Sequence, residues 1–172
     1  MHSRRSLLAS LGLAVLLAAT ACGGGGGSGG APVEPPPVPP APSQAELDYA
    51  QDVLDLVNDE RTSRGISALV ASAGCADAAY AHAYDMEVRN FFDHVNPSGE
   101  GPPTRIARAG VSFSGWGENI AAGQPTPADV VAAWMGSTGH RQNILNSSFH
   151  RLGIGVRLSA GGPIWVQDFV SP

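Results

Sequence analysis

Lysine is absent from this 172-residue chain, and its ten basic residues are all arginine. The formal net charge is −5, and from Ser43 onward eight arginines face fourteen carboxylates. An acidic domain with no basic patch excludes nucleic acid as a partner and excludes electrostatic attachment to anionic lipid. Cysteine is nearly absent too, with only Cys22 and Cys75. Cys22 belongs to the leader described below, so the arithmetic leaves no disulfide within the chain. Cys75 sits in an Ala-rich stretch and reads as a small core residue. The compact H-E-x-x-H zinc signature, the G-x-S-x-G nucleophile elbow and a phosphate-binding loop are all missing. No serine or cysteine nucleophile stands beside an evident base.

What is present begins with an address. Arg4 and Arg5 precede the apolar stretch Leu7 to Ala21, which is short for a membrane span and normal for a secretory signal. Ser3-Arg4-Arg5-Ser6-Leu7-Leu8 resembles a twin-arginine signal, and an ordinary Sec signal reads equally well. Ala19-Thr20-Ala21-Cys22 resembles a bacterial lipobox, with Ala19 where Leu is usual. Residues 1–22 are therefore expected to be a signal peptide ending in an acylated Cys22. That gives a membrane-anchored lipoprotein of the cell envelope, with a plainly cleaved, secreted chain as the alternative. Residues 23–42 are glycine-rich and then proline-rich, holding seven of the 14 prolines. They are expected to be a disordered linker with little to bury. Residues 43–172 are long enough for one domain with its own core.

Within that domain Ser43-Gln44-Ala45-Glu46 reads as a capping box opening a helix. Leu47, Ala50, Leu54, Val57 and Arg61 mark one of its faces. Asp48, Asp52, Asp55 and Asp59 mark a solvated one, since carboxylates strung along a helix do not converge on an ion. A second helix is predicted from Ser72 to about Asn90, with Cys75, Ala79, Ala83 and Met86 inward and His82 structural. Ile106 to Ala109 form a short helix ended by Gly110, and Thr126-Pro127 starts another. His140 opens a last short turn. Leu152–Leu158 and Ile164–Val170 are expected to form a hairpin, with Pro163 limiting pairing at the connection. Helices first and strands last give an α+β domain with an antiparallel sheet.

Three residues carry the chemistry. His94, Glu118 and His140 each lie in or beside a glycine-rich turn, and loops on a rigid scaffold are where function collects. Two imidazoles and one carboxylate with an open position suit zinc, or an acid/base pair. They equally suit a structural polar cluster whose members hold one another by hydrogen bonds. Spacing alone leaves both readings open.

The motifs together say more. Asn58-Asp59-Glu60-Arg61, Phe92-Asp93-His94, Gly117-Glu118-Asn119-Ile120, the run from Trp134 to Leu145 and Gly153-Ile154-Gly155-Val156 occur in one order. The chain resembles the CAP superfamily of cysteine-rich secretory, antigen five and pathogenesis-related proteins, in its bacterial SCP-domain form. The resemblance covers Glu46 to Phe169. It implies a three-layer α-β-α sandwich with a small antiparallel sheet and a cleft centred on two His and two acidic residues. His94, Glu118 and His140 match three of the four, and Ser137 stands where the second acid falls. The cleft residues implied are thus His94, Glu118, His140, Ser137 and Asn119, with His94, Glu118 and His140 as metal ligands. Any divalent ion such as zinc is expected to be loosely held, because Ser137 brings no charge. The implied role is binding of an envelope or extracellular ligand, a lipid or a protein. A metal-dependent hydrolase and a purely structural domain are the alternatives.

Overall fold

A computed structural model describes residues 34–172. The expected signal peptide, Cys22 and most of the expected linker lie outside these residues. Nine elements follow in order: α1 (Gln44–Thr62), β1 (Val70–Ala71), α2 (Ala73–Val88), α3 (Pro102–Arg108), β2 (Gly115–Ala122), α4 (Pro127–Gly136), α5 (Thr138–Ile144), β3 (Arg151–Ser159) and β4 (Gly162–Ser171). The strands form one sheet in the order β1-β3-β4-β2. The α+β class and the layered arrangement follow the sequence expectation. The sheet is mixed, because the two-residue β1 pairs parallel to β3 while the long strands are antiparallel.

The helix starts are built as their sequences dictate. Ser43 and Glu46 form a reciprocal capping box, Ser72 accepts from the Cys75 amide, and Thr126 accepts from that of Asp129. The inward face of α1 is largely the predicted one, with Val57 and Arg61 buried and Ala50 and Leu54 packed at the edge of the core, but Val53 joins it and Leu47 does not. Val53 and Val57 are fully buried, whereas Leu47 is half exposed. Arg61 goes inward because the backbone around it needs donors. Its guanidinium donates to the carbonyls of Ser67, Ile144, Asn146 and Phe149, which ties α1 to the segment leading into β3.

One side of the sheet packs on α1 and α4 through Val53, Val57, Val130, Trp134, Trp165 and Phe169. The other packs on α2 and α3 through Ala79, Met86, Ile120, Val166, Ile106 and Val170. Gly153 and Gly155 let α2 approach β3 at backbone distance. A Cβ at Gly153 would lie 2.1 Å from Ala76 N, and one at Gly155 would lie 2.1 Å from Tyr80 N. That contact is why two glycines alternate in an otherwise apolar strand.

The hairpin ladder runs through Pro163 to the pair Ser159–Gly162 and is not cut short there as predicted. The Leu158 amide points away from β4 to the Glu46 carboxylate, so Leu158–Pro163 is a non-hydrogen-bonded pair. The missing proline N–H therefore costs this ladder nothing. The larger departure from the sequence reading is β2. Gly117-Glu118-Asn119-Ile120 lies in an edge strand eight residues long and not in a turn.

Candidate functional site

Alternation along β2 sends Glu118 to the α2/α3 side of the sheet and Asn119 to the α1/α4 side. Each meets a polar partner directly across on β4: Glu118 opposite Asp168, Asn119 opposite Gln167. The free edge of β2 thus separates two polar clusters, one in each layer.

On the α2/α3 side Glu118 is buried and both its oxygens are engaged. Oε1 meets His94 Nδ1 at 2.6 Å, and Oε2 accepts from Arg105 Nη2 at 2.5 Å. Arg105 Nη1 also donates to the carbonyls of His94, at 2.9 Å, and Glu100, at 2.7 Å. One guanidinium therefore fixes both the carboxylate and the loop that carries His94. His82 supports that loop from α2. Its Nε2 lies 2.9 Å from the Asp93 carbonyl, so this nitrogen bears the proton and Nδ1 is a buried acceptor with no partner. Burial, with Arg105 adding, pushes the His82 pKa down to about 4. The Glu118 hydrogen bond outweighs burial at His94 and raises its pKa.

Asp168 is fully buried, and neither of its oxygens accepts from a donor. Burial first, and Glu118 second, hold its pKa well above the usual carboxylate range. The raised value favours the neutral acid at Asp168, the form that costs least to bury beside the Glu118 carboxylate.

On the other side α5 brings His140. The Asn119 amide donates to the His140 carbonyl at 3.1 Å and to Gln167 Oε1 at 3.0 Å. Asn143 donates to the Glu118 carbonyl at 3.1 Å and to Asn119 Oδ1 at 2.8 Å. This net clips α5 over the edge of β2 and leaves the His140 ring half buried. Burial, then the neighbouring His94, lowers the His140 pKa. The two imidazoles therefore arrive from opposite layers and feel one another at the β2 edge. Ser137, between α4 and α5, is half buried and its hydroxyl caps nothing. Asn119 is fully buried, with its amide donating twice and its oxygen accepting once.

The donor set bears on an ion. Glu118 has no free oxygen, so His94 Nε2 and the His140 ring are what remain. Among the described residues no group of three or more His, Cys, Asp or Glu side chains converges to hold a metal. Two imidazoles suit a loosely held ion and not a closed structural site. The Glu118–His94 contact is the type of outer bond that fixes the tautomer of a ligating histidine.

The sequence reading missed Arg105 and Asp168. Asp168 carried a signal, a Gln-Asp pair inside the apolar run Ile164 to Val170. Arg105, in a short Pro-led helix, carried none. A groove of about 400 Å³ adjoins the His94 loop, lined by Met86, Phe91, Phe92, Gly123 and Ile164 among others. Phe92 is 54% exposed.

The profile of the cysteine-rich secretory protein (CAP) family matches residues 54–169. The uncharacterised protein YkwD of Bacillus subtilis is 42% identical over 130 residues, covering 76% of this chain and 49% of its own length. The crystal structure of an extracellular SCP-domain protein from Bacillus anthracis superposes with a TM-score of 0.71 at 33% identity, covering 75% of this chain and 42% of that one. An outer surface protein of Borrelia burgdorferi, at 19% identity and a TM-score of 0.68, shares the fold over 76% of this chain and 96% of its own. The chain thus spans about half of YkwD and less than half of the B. anthracis protein. Among the described residues no helix is long and apolar enough to cross a membrane.

Proposed function

The chain belongs to the cysteine-rich secretory protein family, and we propose that it is an exported CAP domain that binds an envelope or extracellular ligand at the β2 edge. The observation that carries this reading is the state of Glu118. With Arg105 on one oxygen and His94 on the other, it orients an imidazole and has no lone oxygen aimed at a substrate water. The result is a presented His94, its side chain 48% exposed, with Nε2 directed away from a locked Nδ1. The groove beside Phe91 and Phe92, which also carries Glu87, Asn90 and Ser159, supports a ligand with both a hydrocarbon and a polar portion, a lipid in the first instance. The extracellular and surface character of the similar structures supports export. Anchoring through an acylated Cys22 is part of the same proposal.

A divalent ion such as zinc would be held by His94 and His140, with Glu118 behind His94. It would supply a Lewis-acidic anchor for an oxygen of the ligand. A hydrolase with Glu118 as the base that activates water needs a free carboxylate oxygen, and neither Glu118 oxygen is free for that work. Binding is therefore favoured over hydrolysis.

The test is to incubate the purified chain with an envelope lipid extract, re-isolate it and quantify bound lipid by mass spectrometry. Retention by the wild type, and loss on Phe92→Asp or His94→Ala, is the expected result. Equal lipid content in all three proteins, or none in any, would refute the lipid reading.

A further inference from the structure

The proline-rich segment ahead of α1 has neither helix nor strand, yet it lies against the domain. Proline holds φ near −65° and pushes the preceding residue to extended backbone. Pro35-Pro36-Pro37-Val38-Pro39-Pro40-Ala41-Pro42 is thereby confined to a polyproline II path with three residues per turn. Positions three apart share an edge. Pro36, Pro39 and Pro42 are half buried together with Pro37, while Val38 is 88% exposed.

The face that receives this edge is the outer side of α2. Pro35 to Pro39 form one wall of a groove of about 360 Å³, and Ala81, Asp85, Asn96, Arg105 and Arg108 form the other. Pro42 shares a smaller cavity with Asp77 and Tyr80. At the far end Ser98 Oγ donates to the Glu34 carbonyl at 2.5 Å. Arg89, held first by Asp85, also feels the Glu34 charge. Helix α2 is rich in alanine and buries residues around most of its circumference. A helix of that composition needs cover on both sides.

We propose that the outer face of α2, with its Asn96–Arg105–Arg108 rim, is a recognition groove for a proline-rich extended segment, occupied by the chain's own Pro35–Pro42. Small Ala side chains let the pyrrolidine rings lie close, and the ordering cost is low because proline is already restricted. Two consequences follow. Glu34 is held beside the loop carrying His94, about 25 Å from the α1 N-cap at roughly 3.1 Å per residue. The seated segment also covers Arg105, keeping water from the ion pair that orients His94. Neither consequence requires an ion or ligand in the cleft.

The test uses backbone ¹⁵N relaxation and amide exchange on the full chain. Val38 and Ala41 are expected to show order parameters near the roughly 0.85 of rigid backbone, and values below about 0.6 would overturn the proposal. Replacing Pro36, Pro37 and Pro39 together by Ser should speed exchange of the α2 amides around Ala81 and Asp85 by about tenfold. An excess of synthetic peptide with the sequence of residues 34–42 should restore protection. Val38→Ser should change nothing, since that side chain faces solvent. Exchange in the triple variant equal to wild type, or an equal effect from Val38→Ser, contradicts the groove. Ala81→Gln, which crowds the groove from the helix side, should free the Val38 and Ala41 amides with the segment's own sequence intact.

Discussion

Replacing Arg105 by Met removes the guanidinium and keeps most of the volume. The Arg105 and Glu118 side chains are 2% and 1% exposed, so Glu118 would be left as a buried charge. Breaking a buried pair from one side costs about 3–5 kcal/mol, chiefly through the uncompensated partner. The carbonyls of His94 and Glu100 also lose a donor, although Glu100 still accepts from the Asn96 amide. Against a total stability of roughly 5–15 kcal/mol, the change removes about a fifth or more of the fold's margin. Urea unfolding followed by circular dichroism measures it. The added substitution Glu118→Gln deletes the stranded charge, so the double variant should recover about 2 kcal/mol relative to additivity. A second readout is the His94 titration by NMR. Arg105 holds that pKa down, so its removal should move it further up. A loss below about 1 kcal/mol with no coupling to Glu118 would refute the view that this pair organises the site.

Two further outcomes rest on single contacts. His82 has a folded-state pKa of about 4 against 6.5 unfolded, so the unfolded chain binds the extra proton. Its contribution is complete above pH 6.5 and is lost as pH falls toward 4, amounting to about 3 kcal/mol. His82→Gln keeps a donor for the Asp93 carbonyl and should flatten that slope in pH-dependent unfolding. An unchanged slope would mean that His82 is not buried neutral. The raised Asp168 value acts in the opposite sense, so the comparison must be made within a single Asp168 background. Gly153→Ala places a methyl against the α2 backbone, where relief requires moving the helix. A loss of about 1–3 kcal/mol or more is expected from thermal unfolding, and a neutral result would show that α2 does not sit this close to β3.

What the sequence made legible were the features governed by local rules. The capping box at Ser43, the starts at Ser72 and Thr126, and the hairpin each rest on residues within a few positions of one another. The family motifs added the order of elements and the three residues, His94, Glu118 and His140, that gather at the β2 edge. What stayed hidden depended on pairing. Gly117-Glu118-Asn119-Ile120 read as a turn because its glycine and polar residues mask the alternation of a strand. Its polar side chains are tolerable only because Asp168 and Gln167 lie opposite on β4. Arg105 joins the site through a loop fold that returns α3 to the sheet, and no local pattern announces it. Arg61 gave a related difficulty. It marked a helix face in sequence, but its burial is explained only by four carbonyls, three of them more than 80 residues away.

The central claim is that His94 and His140 jointly present a binding point at the β2 edge, with Glu118 behind His94. Calorimetric titration of the purified chain with zinc tests it most directly, comparing wild type with His94→Ala, His140→Ala and Glu118→Gln. One weak site is expected in the wild type, lost in either histidine variant and weakened by about 10–100-fold in Glu118→Gln. Zinc affinity unchanged by both histidine substitutions would contradict the account.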